Sequence, residues 1–112
     1  MYAAYLLESQ SKHMLETPHG FLTYGFNCVP GVSFPHVYIV DLYVIPSARK
    51  TRVASEMADK VADIARERGI TKMIGSVGLE NNGSDTSLRV LQGYGMKLYA
   101  ATAGAIWMIK DI

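Results

Sequence analysis

The chain has 112 residues, of which 49% are hydrophobic and 19% are charged, and its formal net charge is +1. This balance predicts a single globular domain over residues 1–112, and a charge so close to zero gives no support for a general nucleic-acid-binding protein. The single cysteine, Cys28, excludes an internal disulfide and is typical of a reducing compartment. No apolar run approaches the roughly 18 residues of a membrane span, and the N-terminus lacks a signal-peptide pattern. We therefore expect a cytoplasmic protein without membrane contact.

The first part of the chain contains one clear strand signal. Residues 1–8 are apolar and predict either a strand or a short helix, because periodicity cannot decide over so short a run. Residues 9–18 are polar and predict a hairpin loop or linker. Side chains alternate over residues 19–27 in the manner of a strand, and Pro30-Gly31 is typical of a type II turn.

The most informative stretch runs from Tyr38 to Gly69 and predicts a strand, a turn and a long helix. Residues 38–45 are β-branched, aromatic or apolar apart from Asp41, and Pro46 ends the strand because it cannot donate to a sheet ladder. From about Thr51, apolar residues recur at helical spacing, and Gly69 is a typical helix-ending residue. The positions on this apolar stripe are Val53, Met57, Val61, Ile64 and Ala65.

The start of this helix is a candidate phosphate-binding site. A helix N-terminus carries unpaired N–H groups and the positive end of the helix dipole, both of which favour an anion. Arg49, Lys50 and Arg52 add three positive charges there. The alternative is a basic, solvated turn that binds no ligand.

The second half of the chain predicts a strand, a helix and a strand pair. Residues 71–77 predict a buried strand that is parallel to the first, because a helix connects the two. A turn-rich segment then leads into a helix from Thr86 to about Tyr94, which Ser84 or Asp85 could cap. Residues 97–101 and 105–109 predict an antiparallel pair.

Residues 42–49, Leu-Tyr-Val-Ile-Pro-Ser-Ala-Arg, resemble the acetyl-CoA-binding core of the GCN5-related N-acetyltransferases. In that family a strand ending in Val-x-Pro leads into an Arg/Gln-x-x-Gly-x-Gly/Ala loop, whose backbone N–H groups bind the pyrophosphate of coenzyme A. The loop falls on residues 49–54 of this chain, where Arg49 and Ala54 fit the pattern and Arg52 replaces a glycine. The order of later elements extends the resemblance to roughly Tyr38–Ile109.

The resemblance implies an α/β fold, called α+β in some schemes, in which helices flank a mixed central sheet. The family's first helices usually shape the acceptor pocket. Only 37 residues precede Tyr38, so we expect these N-terminal helices to be reduced or absent.

The resemblance also implies that acetyl-CoA is the cofactor and that it binds along the strand and the loop. The expected cofactor-binding residues are Leu42, Val44, Arg49, Lys50, Thr51, Arg52, Val53 and Ala54. Asn81 or Asn82 occupies the place of a family asparagine that would hydrogen-bond the cofactor, although both asparagines could instead serve only the turn. Arg52 does not exclude binding, because the first turn of a helix has a negative φ that arginine adopts without strain.

Amide formation from a thioester needs a base for the amine and an acid for the leaving thiolate. Asp41 resembles the acidic residue of some relatives and is the predicted base, and Tyr38 lies at another strand position that relatives use. The acid of many relatives is a tyrosine at the place of Leu91, which cannot donate a proton. Tyr94 is therefore the predicted acid, with Ser87 as a second candidate. Core packing for the tyrosines and a structural hydrogen bond for Asp41 are the alternatives.

Two functions follow from the resemblance. The first is an acyl-CoA-dependent N-acyltransferase that passes an acetyl group directly to an amine acceptor, either a small molecule or a protein. The second is a catalytically degenerate member that acts as a binding or structural module in a larger assembly. No metal is expected, because the three histidines have no metal-ligand spacing. An exposed edge strand would allow a homodimer in either case.

Overall fold

The computed structural model describes residues 12–49, 51–78 and 84–112. Within these ranges, six strands form one mixed sheet in the order β1-β2-β3-β4-β6-β5, accompanied by two helices. The elements are β1 (Lys12–Thr17), β2 (Gly20–Phe26), β3 (Val37–Val44), α1 (Val53–Glu67), β4 (Lys72–Gly78), α2 (Ser84–Gly93), β5 (Lys97–Ala101) and β6 (Ala105–Asp111).

The prediction of a loop over residues 9–18 is wrong from Lys12 to Thr17, where β1 pairs with β2 along its whole length. The polar composition of this segment does not indicate a strand, because apolar contacts come from side chains of the partner strand, β2. The ring of His13, for example, lies 5.3 Å from that of Tyr24 and 5.6 Å from that of Phe26. The expectation for residues 1–8 falls outside the described residues.

The predicted type II turn is present at Pro30-Gly31. The amide of Val32 donates to the carbonyl of Val29 at 3.3 Å, and Gly31 has the positive φ of 83° that the third turn position requires. This turn lies in the segment that joins β2 to β3.

The predicted strand-turn-helix-strand unit is confirmed. A short 3₁₀ turn at Pro46–Ala48 links β3 to α1, and β4 returns parallel to β3. Gly69 ends α1 at φ 76°, while Gly69 and Ile70 donate to the carbonyls of Arg66 and Ala65. These two bonds form the Schellman motif that a glycine at this position makes possible. The helix begins at Val53, two residues after the predicted start.

The terminal elements also agree with the sequence pattern. Helix α2 begins at Ser84, two residues before the predicted start, and β5 and β6 form the expected antiparallel pair. The connection from α2 to β5 is closed by hydrogen bonds from Gly95 to Gln92 and from Met96 to Leu91.

The main core lies between the two helices and one face of the sheet, which we call the helix face. Side chains of β2, β3, β4 and β6 meet both helices there, and Leu22, Val61, Ala65 and Met73 are fully buried. The other side of the sheet, called the opposite face, carries Phe21, Asp41 and Tyr43 near one end and Tyr38 and Trp107 nearer its middle. The expected α/β fold is therefore confirmed.

No helix precedes β3 within residues 12–36, the described part of the chain before that strand. Neither described helix has the length and apolar character needed to cross a membrane.

Candidate active site

The main feature of the sheet is the separation of its two parallel strands. β3 and β4 pair at only three positions, Val37 with Met73, Tyr38 with Ile74 and Ile39 with Gly75. Beyond them, β3 continues to Val44 beside β2, and β4 continues to Gly78 beside β6. The carboxyl ends of the parallel strands thus form the two sides of a cleft, the usual place for a ligand in an open α/β sheet.

A β-bulge in β3 lies immediately beyond the last paired position. Thr23 of β2 is opposite Asp41, whereas the next residue, Tyr24, is opposite Ile39, so Val40 is the extra residue. A bulge re-aims the side chains that follow it. Leu42 therefore shares the helix face with Ile39, and Asp41 lies on the opposite face, away from the core.

The N-terminus of α1 follows the end of β3 after the short turn at Pro46–Ala48. Arg52 is the N-cap residue at φ −88°, and the first bond within the helix runs from the amide of Glu56 to the carbonyl of Arg52 at 2.9 Å. The negative φ agrees with the expectation that arginine fits here without strain. The amides of the first turn precede that first bond and point out of the helix end, where they favour an anion.

The side chains around this helix end have different surroundings. Thr51 donates its hydroxyl to the carbonyl of Ala48 and accepts a bond from the amide of Val53 at 3.4 Å. Thr51 and Arg52 are exposed, and Val53 and Ala54 are half-buried. Most of this predicted cofactor loop is accessible to a ligand.

Arg49 folds back over the end of β3. Its Nε donates to the carbonyl of Val44 at 3.0 Å, and its guanidinium carbon lies 5.7 Å from the centre of the Tyr43 ring. These contacts use one donor and one face of the ring, while the residue as a whole is exposed. Arg49 therefore holds a positive charge at the mouth of the cleft.

The remaining predicted cofactor residues divide into three groups. Leu42 is 38% exposed at the cleft, so its side chain can meet a ligand. Val44 is buried in the core, so only its backbone can do so. Lys50, Asn81 and Asn82 fall outside the described residues.

Asp41, the predicted base, is exposed on β3 opposite Thr23. Thr23 is only 4% exposed, and its hydroxyl has no hydrogen-bond partner in the described ranges. A buried hydroxyl without a partner is unfavourable unless another group satisfies it. Sequence reasoning missed Thr23, because its position opposite Asp41 depends on the strand register.

Tyr38 connects the two parallel strands just before they separate. Its hydroxyl lies 2.7 Å from Ser76 Oγ of β4, and its ring lies 5.8 Å from the Trp107 ring of β6. A phenol and a hydroxyl in contact can exchange a proton with a third group, so this pair adds an acid candidate at the apex of the cleft.

Tyr94, the predicted acid, lies elsewhere. Its hydroxyl donates to Asp59 of α1 at 2.7 Å, and the ammonium group of Lys110 lies 3.7 Å from its ring centre. Burial, together with the hydrogen bond to Asp59, raises the pKa of the Tyr94 phenol far above its ordinary value. The structure therefore separates Tyr94 from Asp41, because one packs against a helix and the other lies on the opposite face of the sheet. The roles of base and acid expected for these two residues stay predictions.

Leu91, at the place expected for the acid of many relatives, is half-buried and packs against the core. A Cβ atom built on Gly75 would lie 3.5 Å from both terminal carbons of Leu91. The alternative acid Ser87 belongs to the part of α2 whose side chains are not described.

Comparisons with known proteins agree with this geometry. The sequence matches the family model for the acetyltransferase (GNAT) family over residues 10–100. No curated protein sequence matches the chain.

Solved structures share the fold at low sequence identity. PaiA N-acetyltransferase from Thermoplasma acidophilum, in complex with coenzyme A, is 14% identical with a TM-score of 0.71, over 94% of this chain and 64% of that one. An aminoglycoside 6′-N-acetyltransferase complexed with coenzyme A is 13% identical with a TM-score of 0.72, over 96% and 76%. The anti-CRISPR protein AcrVA5 is 14% identical with a TM-score of 0.65, over 87% and 97%. The family match covers most of the chain, and the chain belongs to the GNAT acetyltransferase family.

Proposed function

We propose that this protein transfers the acetyl group of acetyl-CoA to a primary amine, in the cytoplasm, as an active member of its family. Membership of the family gives the class of reaction, acyl transfer from coenzyme A to an amine. The observation that best supports activity in this chain is the separation of β3 from β4, because β3 leads on to the N-terminus of α1. This separation supports the proposal, because a strand edge, a helix N-terminus and the Asp41 carboxylate border one cleft.

The chain can hold coenzyme A through two kinds of backbone group. Beyond Ile39, no described strand pairs with β3 on its β4 side, so its N–H and C=O groups can pair with the amides of the pantetheine arm. The amides at the start of α1 suit the pyrophosphate, and the exposed Arg49 and Arg52 add positive charge.

When bound, acetyl-CoA supplies a thioester carbon that forms a bond to the amine nitrogen as its bond to sulfur breaks. The amine must first lose a proton, and Asp41 is the carboxylate at the cleft that can accept one, directly or through water. The leaving sulfur takes up a proton, for which the Tyr38 hydroxyl, in contact with Ser76, is the donor at the apex of the cleft. In this proposal Tyr94 stabilises the fold and takes no part in proton transfer.

The test is a calorimetric titration of the protein with acetyl-CoA, with desulfo-CoA and ATP as controls. We expect saturable, micromolar binding that weakens about tenfold in Arg49→Glu and Arg52→Glu at low salt, because each loses a charged contact to phosphate. Arg66→Glu, at the far end of α1, is the matched control for net charge. Absence of binding at millimolar acetyl-CoA, in a folded protein, would refute the proposal.

Catalytic degeneracy is the second candidate, and the half-buried Leu91 beside Gly75 favours it, because leucine cannot donate a proton. A degenerate module would bind coenzyme A, or a protein partner, without forming acetylated product. Mass spectrometry of the product with an acceptor panel separates the two functions. Homodimerisation through an exposed edge, which β5 offers at the end of the sheet, is compatible with both and is measured by sedimentation.

A further inference from the structure

A cavity of about 280 Å³ lies on the opposite face of the sheet. The turn at residues 29–32 forms one side of the cavity, and the fully buried Ile74 lines it from β4. The other lining residues are Tyr99, Ala100, Thr102 and Trp107. A cavity of about 150 Å³ holds a benzene molecule, so this one is large enough for a phenyl ring or a branched alkyl group.

The chemistry of the lining is apolar. None of the lining residues carries a charge. The hydroxyl of Thr102 is directed to the carbonyl of Ala105 at 3.4 Å, which leaves the Tyr99 phenol and the Trp107 indole N–H as the other polar side-chain groups. A cationic group inside this cavity would lose its hydration without gaining a counter-charge. The cavity therefore suits a hydrocarbon group and disfavours a second ammonium.

The wall formed by residues 29–32 is held in place before any ligand arrives. The fully buried His36 accepts a hydrogen bond from the amide of Val29 through Nε2 at 3.2 Å, and its Nδ1 is 3.0 Å from the carbonyl of Phe34. Because Nε2 is the acceptor, Nδ1 carries the proton and donates to Phe34. A wall fixed in this way does not have to be ordered on binding.

The cavity lies next to the apex of the cleft. Ile74 pairs with Tyr38, one position before the last paired residues of β3 and β4. Trp107, in the cavity lining, lies beside Tyr38, whose hydroxyl contacts Ser76. An amine with its apolar group in the cavity would extend past these rings towards the cleft, where Asp41 lies on the same face.

We propose that this cavity receives the apolar arm of the acceptor, so that the preferred acceptors are primary amines bearing an aromatic or branched aliphatic group rather than polycations. The choice of an amine rests on the proposed function. Occupancy of the cavity, however, can be measured without any catalysis.

Trp107 is the sole tryptophan of the chain, so its fluorescence reports directly on the cavity. We expect 2-phenylethylamine to change this fluorescence saturably and ethylamine or spermidine to leave it unchanged. Ala100→Phe, which fills the cavity, should weaken the response at least tenfold. Ala101→Phe is the matched control, because Ala101 pairs with Ile106 and faces the other side of the sheet.

The kinetic counterpart is acetylation followed by mass spectrometry. We expect kcat/KM for 2-phenylethylamine to exceed that for spermidine at least tenfold, and Ala100→Phe to raise KM for the aromatic amine without altering affinity for coenzyme A. Equal responses of the wild type and Ala100→Phe, or a preference for spermidine or ethylamine, would overturn the proposal. If the wild type binds no acetyl-CoA, the proposed function fails, while the fluorescence titration still decides whether the cavity binds the apolar amine.

Discussion

The two faces of the sheet differ in composition and in burial. The helix face is built from aliphatic and methionine side chains such as Leu22, Met73 and Met108, none more than 2% exposed. The opposite face carries aromatic pairs, with the rings of Phe21 and Tyr43 5.7 Å apart and Tyr43 42% exposed. The first face excludes water and stabilises the fold, whereas the second keeps rings and a carboxylate accessible. Under the proposed function, stability and chemistry are thus assigned to different sides of the same strands.

The bulge at Val40 maintains this difference between the two faces where β3 borders the cleft. In an uninterrupted strand, Ile39 and Asp41 would point to the same side, because side chains alternate with a period of two. The extra residue instead leaves Ile39 in the core and puts Asp41 on the opposite face. One inserted residue thereby keeps a charge out of the core and presents it to the cleft.

The largest expected effect is the loss of a core side chain near the cleft. Leu22 and Leu42 are cross-strand partners of the same residue type, but Leu22 is fully buried and Leu42 is 38% exposed. We expect Leu22→Ala to lower the free energy of unfolding by about 3 kcal/mol, through lost burial and a cavity. Leu42→Ala should lower it by about 1 kcal/mol. Urea titration measures both values, and equal losses would show that the core extends through the cleft.

The next effect is kinetic and concerns the opposite face. If Asp41 accepts the proton of the amine, Asp41→Asn should lower kcat about 100-fold, the lower range for removal of a general base. The free energy of unfolding should change by less than about 0.5 kcal/mol, since the side chain is exposed. Asp111→Asn, which removes an exposed partner of Lys72, is the control and should leave kcat unchanged. An active Asp41→Asn enzyme would remove the base from this position.

The parts of the site that could be predicted from the sequence lie within one continuous stretch. The strand, its ending at Pro46 and the helix after Thr51 place Asp41, Arg49 and Arg52 in order along the chain. Local signals determine these elements, namely β-propensity, the missing proline donor and helical periodicity. The same stretch carries the family resemblance.

The parts that could not be predicted depend on register and on distant contacts. The apolar run through Val40 gives no sign of a bulge, which appears only when β3 pairs with β2. The cavity takes its lining from four separate segments of the chain. Asp59, the hydrogen-bond partner of Tyr94, lies 35 positions earlier in the chain, so the local sequence pattern cannot reveal this contact. Tertiary contacts, rather than propensity, decide each of these features.

A smaller effect distinguishes the structural role of Tyr94 from the catalytic one. Tyr94→Phe removes the hydrogen bond to Asp59 and keeps the ring beside Lys110. We expect the free energy of unfolding to fall by about 1 kcal/mol, the net value of an ordinary hydrogen bond, because Asp59 is exposed to solvent. The value of kcat should stay within about twofold of the wild type. A loss near 100-fold would instead restore Tyr94 as the acid, and Tyr38→Phe is the variant expected to lower kcat.

The smallest effect is the alkaline dependence of that same bond. Burial and the neighbouring Asp59 raise the pKa of the Tyr94 phenol above the value of about 10 expected in the unfolded chain. The folded state therefore retains a proton that the unfolded state releases, so the stabilisation is complete below about pH 10 and is lost as pH rises through the folded-state pKa. The difference in unfolding free energy between the wild type and Tyr94→Phe should accordingly shrink as the pH rises above about 10. Burial also raises the pKa of Tyr24, but that contribution is common to both proteins and cancels. A constant or growing difference in unfolding free energy would contradict the hydrogen bond between the Tyr94 phenol and Asp59. The phenol would then be available for another role.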